Sequence, residues 1–456
     1  MKKNIALSAI VVGLLGSVSV QADDALSTMF KDGKTSGQIR EFTLMRDKDK
    51  SGGTDNTERS NAIGGHLKFE TAEAVGFSLG ARLDTTNGFA NPDTNNVGPG
   101  DDVLHKPNLD QNGEGYSILG EAYVQYKNGE TSVKIGRQTI DSPLMAGDDY
   151  RMIRNFHNSV EFANTSLTDI KFTLGHTSQM APGSFANTYN GGILGATTGY
   201  SAVKGSRTND FINTGLYSVG EATDGVTTAS ITYTGVEGLK VRLWDYYAHD
   251  ISNTIYGDIA YKAKMGSVTP FVAGQFISQS SVGDKLLKNT TISKDGELEG
   301  FYYGLKAGLS VSGFTAYVAY SATTENDSDA VANGNTAKNA IILQNGGYPA
   351  YTQGMVTRHM TLAGAKAVKV AGAYSFKEMG PDVKLALYYI SVDLDKNNGY
   401  TYGDTDEKGF DIIYNTQWAK GLQLRLRGNY SNDFNVAANG DTVGWSEYRF
   451  IANYTF

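Results

Sequence analysis

Apolar and polar residues alternate with a period of two along most of the chain, in segments of about ten residues. In 75–84 (VGFSLGARLD), Val75, Phe77, Leu79, Ala81 and Leu83 share one face, with Ser78, Arg82 and Asp84 on the other. In 301–310, Phe301, Tyr303, Leu305, Ala307 and Leu309 oppose Tyr302, Gly304 and Lys306. In 421–430, Leu422, Leu424 and Leu426 oppose Gln423, Arg425 and Arg427. A helical period would scatter these sets around an axis, whereas a strand gathers each onto one face. The pattern predicts strands at 36–46, 60–70, 75–85, 116–127, 130–138, 157–164, 169–178, 226–234, 239–249, 255–264, 268–278, 300–310, 313–323, 366–376, 383–392, 408–418, 421–431 and 444–456. Alternation weakens around 150–170 and 205–225, so sixteen strands stay open beside eighteen.

Tight turns (127–130, 234–238, 311–313, 419–421) alternate with long polar stretches (85–115, 179–225, 279–299, 324–365). Transmembrane barrels show this asymmetry, with short periplasmic turns and long extracellular loops. The expected fold is all-β, a transmembrane antiparallel β-barrel of about 18 strands. An even strand number places both termini at the periplasmic end. The last strand, EYRFIANYTF, carries Tyr448, Phe450, Ala452, Tyr454 and Phe456 on one face and ends on an aromatic. That ending is similar to the signal read by the barrel-assembly machinery, so Phe456 is the expected contact with this partner.

Composition fits the same picture. The chain holds 54 Gly, 27 Tyr, 8 Pro and no Cys, with a mean hydropathy of -0.32. Residues 1–22 read as a cleaved signal peptide, with Lys2 and Lys3, an apolar stretch from Ile5 to Leu15, and Val20-Gln21-Ala22 as the cleavage site. Residues 23–456 are then a single barrel domain exported to the outer membrane of a Gram-negative bacterium. Lacking cysteine, the chain has no disulfide, lipid-modified cysteine, thiolate metal site or catalytic thiol.

If the apolar parity faces lipid, the other parity lines a water-filled lumen. The inward bases are Lys68, Arg82, Lys134, Lys171, Lys240, Arg242, Lys262, Lys306, Lys369, Lys384, Arg425, Arg427 and Arg449. The inward acids are Glu70, Asp84, Glu121, Asp258, Asp411 and Glu447. The wall is therefore basic although the chain carries a net charge of -8, and the surplus acids belong to the loops. A basic, confined wall focuses anions, and arginine suits carboxylates through its two-pronged guanidinium. Some of these bases have a structural partner close by, Lys68 with Glu70 and Arg82 with Asp84. Arg425 and Arg427 project to the same side, roughly 6.5–7 Å apart. Left unpaired, two like charges so close are poised to receive a carboxylate; the alternative is that Glu447 on the last strand pairs with one of them and leaves only the other free.

The block 119–152, LGEAYVQYKNGETSVKIGRQTIDSPLMAGDDYRM, resembles the OprD-type outer-membrane porins. The match lies in Glu121-Ala122-Tyr123, a tight turn, Lys134 to Gln138, Pro143-Leu144, and Asp149-x-Arg151-Met152. The resemblance implies an eighteen-stranded barrel, monomeric or weakly trimeric, that takes up small solutes, often carboxylates. It also implies an inward-folded third loop, here 139–156, and a ladder of Arg and Lys down the wall. On that basis Glu121, Tyr123, Arg151 and Arg154 join the wall bases as pore-lining candidates, and Asp141, Asp148 and Asp149 are the loop's acids. Arg137 would face the constriction. Strict alternation instead places it with Val133 and Ile135 toward lipid, unless a bulge at Gly136 turns it inward or the strand has left the membrane there.

One loop suggests different chemistry. In DKDKSGGTDNTE (47–58), Asp47, Asp49, Ser51, Asp55 and Glu58 fall at the ligand positions of a calcium loop, with Gly52 at the sharp turn. Its flanks are strands rather than helices, and Thr54 stands where an EF-hand has an apolar residue, so it is no EF-hand. It reads as a solvated acidic hairpin loop whose oxygens could wrap calcium. No other cofactor is implied. Six histidines, with no HExxH, GxSxG or phosphate-loop signature, argue against an enzyme. Basic residues form no aromatic-interleaved stripe, so nucleic acid is not an expected partner. The expected function is passive diffusion of small hydrophilic solutes through the outer-membrane lipid, with some preference for anionic ones. The alternatives are a weakly selective or cation-preferring general porin and an adhesive or structural barrel.

Overall fold

The computed structural model describes residues 21–48, 56–92, 102–110, 112–187, 210–290, 293–343, 345–395, 403–436 and 442–456. A short helix, α1 (Gln21–Lys31), leads into eighteen long strands that close into an antiparallel barrel. They are β1 (Lys34–Lys48), β2 (Asn56–Glu70), β3 (Phe77–Gly88), β4 (Tyr116–Asn128), β5 (Thr131–Gln138), β6 (Phe156–Asn164), β7 (Ile170–Ala181), β8 (Val226–Tyr233) and β9 (Leu239–Ala248). The second half comprises β10 (Ser252–Lys262), β11 (Val268–Ser281), β12 (Phe301–Val311), β13 (Phe314–Thr323), β14 (Lys366–Ser375), β15 (Val383–Asp393), β16 (Thr405–Asn415), β17 (Leu422–Val436) and β18 (Thr442–Thr455). Each strand pairs with the next, and β1 pairs with β18, so no edge is left open. Among the described residues no helix is long and apolar enough to cross a membrane; the crossing is made by strands.

The predicted alternation holds along the wall. Leu67, Leu83, Leu305, Leu387 and Leu426 stand exposed on the outside, which in a barrel is the lipid face. Aromatic residues cluster at its two borders. Tyr454 and Phe456 lie toward the short-turn end, and Tyr430 and Tyr448, joined through their hydroxyls, toward the long-loop end. The closing seam depends on the last residue. Phe456 and Gly37 exchange backbone hydrogen bonds at 3.0 and 3.1 Å. The Phe456 ring covers Gly37, where any Cβ would collide with it. Ala72 N–H bonds to the Met29 carbonyl at 2.9 Å, which ties α1 to the β2–β3 turn. The start of β1 and the end of β18 therefore both sit at the short-turn rim.

The interior is partly filled by loops rather than left as an empty pore. The β5–β6 loop (139–155, hereafter L3) and the β13–β14 loop (324–365) pack against each other inside the wall. Ile140, Leu144 and Met145 of L3 form one apolar cluster with Ala340, Ile341, Ile342, Leu343 and Leu362 of the other loop. The cluster rests on Tyr246, Tyr256, Ile277, Tyr302 and Ile390, wall residues that point inward although apolar or aromatic. A second cluster joins Met152 and Ile153 of L3 to Phe42 and Leu44 of β1 and to Leu104 and Leu109 of the β3–β4 loop. Burying the inward apolar patches under loops is what makes them compatible with a hydrated lumen.

Candidate functional site

L3 is held by ions to one side of the wall. Asp149 pairs with Arg40 of β1 at 2.6 Å and with Arg154 at 3.4 Å. Arg40 also donates to the Arg151 carbonyl at 2.6 Å and to Asn453 of β18 at 2.8 Å. Burial alone would push the Asp149 carboxyl up, but Arg40 and Arg154 outweigh it and hold it down at about 2. On the other side L3 is stitched to the β13–β14 loop. Asp148 accepts the Gly347 N–H at 3.1 Å, and Ala146 donates to the Asn345 carbonyl at 3.3 Å. Burial pushes the Asp148 carboxyl up to about 6, against the pull of Arg358. Arg358 is itself buried and stacks over Tyr150 and Phe185, with ring centroids 4.9 and 4.7 Å away. Two loops thus fill this part of the lumen, whereas the sequence marks only L3.

The second loop has its own anchor. Glu407 of β16, fully buried, accepts the backbone N–H groups of Met355 and Thr357, each at 2.8 Å, and the Thr357 hydroxyl at 2.7 Å. The Tyr388 hydroxyl of β15 donates to the same carboxylate. Lys369 of β14 donates to the Gln353 carbonyl at 2.6 Å. Glu407 could not have been given this role from sequence, because the loop it binds lies some 50 residues away.

Arginines outnumber carboxylates in three clusters along the wall. Asp149 serves Arg40 and Arg154, as above. Asp411 of β16 serves Arg425 through a hydrogen bond of 2.8 Å and Arg427 at 3.1 Å, both on β17. Glu447 of β18 is shared by Arg46, Arg449 and, at 3.8 Å, Arg151. Arg46 also reaches Glu58 at 3.5 Å, and Glu58 in turn holds Lys48 at 2.6 Å and His105 at 2.8 Å. Burial holds the His105 imidazole down at about 3, so it contributes no charge at neutral pH. The Arg425–Arg427 pair is neither left unpaired nor held by Glu447: Asp411 pairs with both and stands opposite Arg427 in the β16–β17 ladder, while Glu447 holds other arginines.

The remaining candidates fall into two groups. On the lumen side, Arg82 pairs with Asp84 at 2.6 Å, Arg242 with Asp258 at 2.7 Å, and Lys68 with Glu121 at 3.1 Å and Glu70 at 3.4 Å. Glu121 also accepts the Thr139 hydroxyl at 2.8 Å. Tyr123 donates to Glu70, and Lys134 sits 3.8 Å over its ring. Lys240 keeps the inward parity of Arg242. Asp141 lies in the small hairpin at the start of L3 and lines, with Lys171 and Trp244, a cavity of about 230 Å³ between L3 and the wall.

Two arginines are placed differently from expectation. Arg151 is 1% exposed and packs over Phe42 and Phe185, so it fastens L3 instead of lining the lumen. Arg137 lies on the outward face. The β4–β5 and β5–β6 ladders run through Gly136 without a shift, so no bulge turns it inward; its guanidinium stacks 4.5 Å over Phe211. Of the calcium candidates, Asp47 accepts the Thr57 hydroxyl at 2.7 Å, Glu58 is engaged as described, and Asp49, Ser51 and Asp55 lie outside the described residues.

A closed eighteen-stranded barrel with loops folded into a charged lumen defines the porin class. The model of the outer membrane porin OprD family matches residues 28–456, and the chain belongs to that family. Among solved structures it is similar to Pseudomonas aeruginosa OpdK with vanillate, at 15% identity and a TM-score of 0.71, covering 94% of this chain and 99% of that one. It is similar to P. aeruginosa OccK9 (OpdG) at 16% identity and a TM-score of 0.71, with the same coverages. P. aeruginosa OccK2 (OpdF) in complex with glucuronate follows at 14% identity and a TM-score of 0.69, again over 94% and 99%. No curated protein sequence matches the chain.

Proposed function

We propose that this porin is a passive diffusion channel for small hydrophilic solutes with a preference for carboxylate-bearing anions. One observation carries the reading: at Asp149, Asp411 and Glu447 each inward carboxylate is shared by at least two arginines. Pairing therefore orders the guanidinium groups without cancelling their charge. A row of such clusters on β1, L3 and β16–β18 leaves net positive potential along one side of the lumen, where low-dielectric walls strengthen it. The fork of a guanidinium matches a carboxylate. Two structural neighbours were solved with vanillate and glucuronate, both carboxylates, which supports the same class here.

Nothing in this mechanism requires catalysis. A solute moves down its gradient, exchanging water for arginine contacts and leaving because no single contact is strong. Export would remove residues 1–22 and leave both termini at the periplasmic rim, in keeping with their shared place beside the short turns. The test is the reversal potential of the purified channel in a planar bilayer under a salt gradient, with benzoate and a neutral solute of similar size compared for uptake. Anion-directed reversal and faster benzoate uptake are expected. A cation-directed reversal would favour the alternative in which acidic outer loops set selectivity.

A further inference from the structure

Apolar side chains continue past the end of the lipid-facing wall. At the short-turn rim the outward face ends in aromatic pairs, Phe77 with Tyr126, Tyr374 with Phe376 and Tyr454 with Phe456. Such a belt marks the level at which hydrocarbon gives way to headgroups. Beyond it stand Val75, Leu167, Met265, Met379 and Trp418, on five different short turns and between 62% and 89% exposed. Those turns join β2–β3, β6–β7, β10–β11, β14–β15 and β16–β17, so the apolar tips run round the circumference. A protein partner would cover one sector of this rim, whereas a bilayer surrounds all of it.

The helix α1 belongs to the same surface. At about 100° per residue, Met29, Leu26 and Phe30 share one arc of its circumference, with Ser27, Thr28 and Lys31 on the opposite side. Leu26 and Phe30 are about as exposed as the lipid-facing leucines of the wall. The Phe30 ring stacks on Phe69, with centroids 6.0 Å apart. Phe69 faces outward on β2, two residues after Leu67. Gly33 crosses over the Phe69 ring so closely that any Cβ there would collide with it. These contacts hold α1 on the outer side of the rim. A helix of eleven residues is marginal in water by itself. Of the described side chains of α1 only Met29 is buried, so the barrel supplies little of the apolar contact that the helix needs.

We propose that α1 and the apolar turn tips form a membrane-surface anchor, seated in the headgroup layer of the leaflet at the short-turn rim, with Leu26 and Phe30 turned into its acyl boundary. The depth fits. Each tip lies two to four residues from the nearer strand end. Tilted strands gain about 2.5 Å of height per residue, and the headgroup layer is roughly 5–7 Å deep on each side. Short turns that curl back therefore end within this layer. A short amphipathic helix gains there the apolar surface that water denies it, while Lys31, Ser27 and Thr28 meet phosphates and water.

The chain has no cysteine, so a single nitroxide reports one position. Leu26→Cys, Met265→Cys and Trp418→Cys are each labelled, folded as the full barrel and reconstituted in vesicles of phosphatidylethanolamine and phosphatidylglycerol. Power-saturation electron paramagnetic resonance then compares access by oxygen, which concentrates in lipid, with access by a water-soluble nickel chelate. All three should favour oxygen severalfold over a label at Asp329→Cys, an exposed residue of the β13–β14 loop. In a Phe30→Glu background the Leu26→Cys label should swing toward the nickel chelate while the barrel keeps its heat-modifiable gel band. If Phe30→Glu fails to fold, Phe30→Ser replaces it. Water-like access at Leu26→Cys or at either turn tip, in folded barrels embedded in vesicles, overturns the proposal and leaves this rim to a partner on the aqueous side. So does a Leu26→Cys signal that the change at Phe30 does not move.

Discussion

The carboxylate of Glu407 accepts the backbone N–H of Thr357 at 2.8 Å, across 50 residues of chain. One strand residue thereby fixes the turn of a loop that narrows the lumen. A buried carboxylate with backbone donors aimed at it is a charge-assisted arrangement, and each such bond contributes about 1.5–3 kcal/mol.

Glu407→Gln keeps the shape but replaces one acceptor oxygen with a donor that opposes a backbone N–H. The amides of Met355 and Thr357 should then lose protection in hydrogen exchange by roughly ten- to a hundredfold, corresponding to about 1.5–3 kcal/mol. Single-channel current should become noisier as the loop fluctuates, while the barrel itself stays folded. Unchanged exchange at these amides would mean that the apolar cluster alone holds the loop.

The Asp411 cluster separates charge from pore size. Replacing both Arg425 and Arg427 with Gln should move the reversal potential toward cations and slow a carboxylate more than a neutral solute of equal size. Asp411→Asn, which frees both arginines, should move the potential the other way. Equal slowing of both solutes would indicate a change in width.

Lowering pH should tighten the contact between the two loops. Burial raises the Asp148 carboxyl to about 6, so with L3 docked it holds its proton at a pH where the undocked, solvated group has lost it. The docked form therefore takes up a proton as pH falls through about 6 toward the ordinary carboxylate value, and the penalty for burying the charge disappears. The opposing loss, protonation of Asp149, begins only below the ordinary carboxylate value, because Arg40 and Arg154 hold that group down at about 2. Between pH 7 and 4, mean conductance should fall in the wild type and change much less in Asp148→Asn. A wild-type conductance independent of pH over that range would exclude Asp148 as the titrating group.

The seam at the last residue predicts an assembly phenotype. Gly37→Val would place a side chain under the Phe456 ring, and deletion of Phe456 would remove the ring and its two backbone bonds to Gly37. Both should lower the amount of heat-modifiable barrel in outer membranes severalfold. The deletion should have the larger effect, because it also removes the terminal aromatic that assembly is expected to read. Normal outer-membrane levels of both variants would show that closure does not depend on this contact.

The sequence by itself determined the barrel. Period-two alternation is a local property, and wherever one face meets lipid and the other water, as in 75–84 or 421–430, it marks the strand and its outward side. The count of eighteen came from the same signal, as did the pairing of Arg82 with Asp84, two residues apart on one face. What tertiary structure alone decided was the interior. On β1 the residues Ile39, Glu41, Phe42 and Leu44 give no clean parity, because Phe42 and Leu44 turn inward under Met152 and Ile153 of a loop more than a hundred residues away. That packing sends Glu41 outward. It equally makes Arg151 a fastener instead of a wall residue, and gives Glu407 a loop to hold. Which acid serves which arginine is set by strand neighbours and loop docking. These are relations between residues distant in sequence, and no local pattern encodes them.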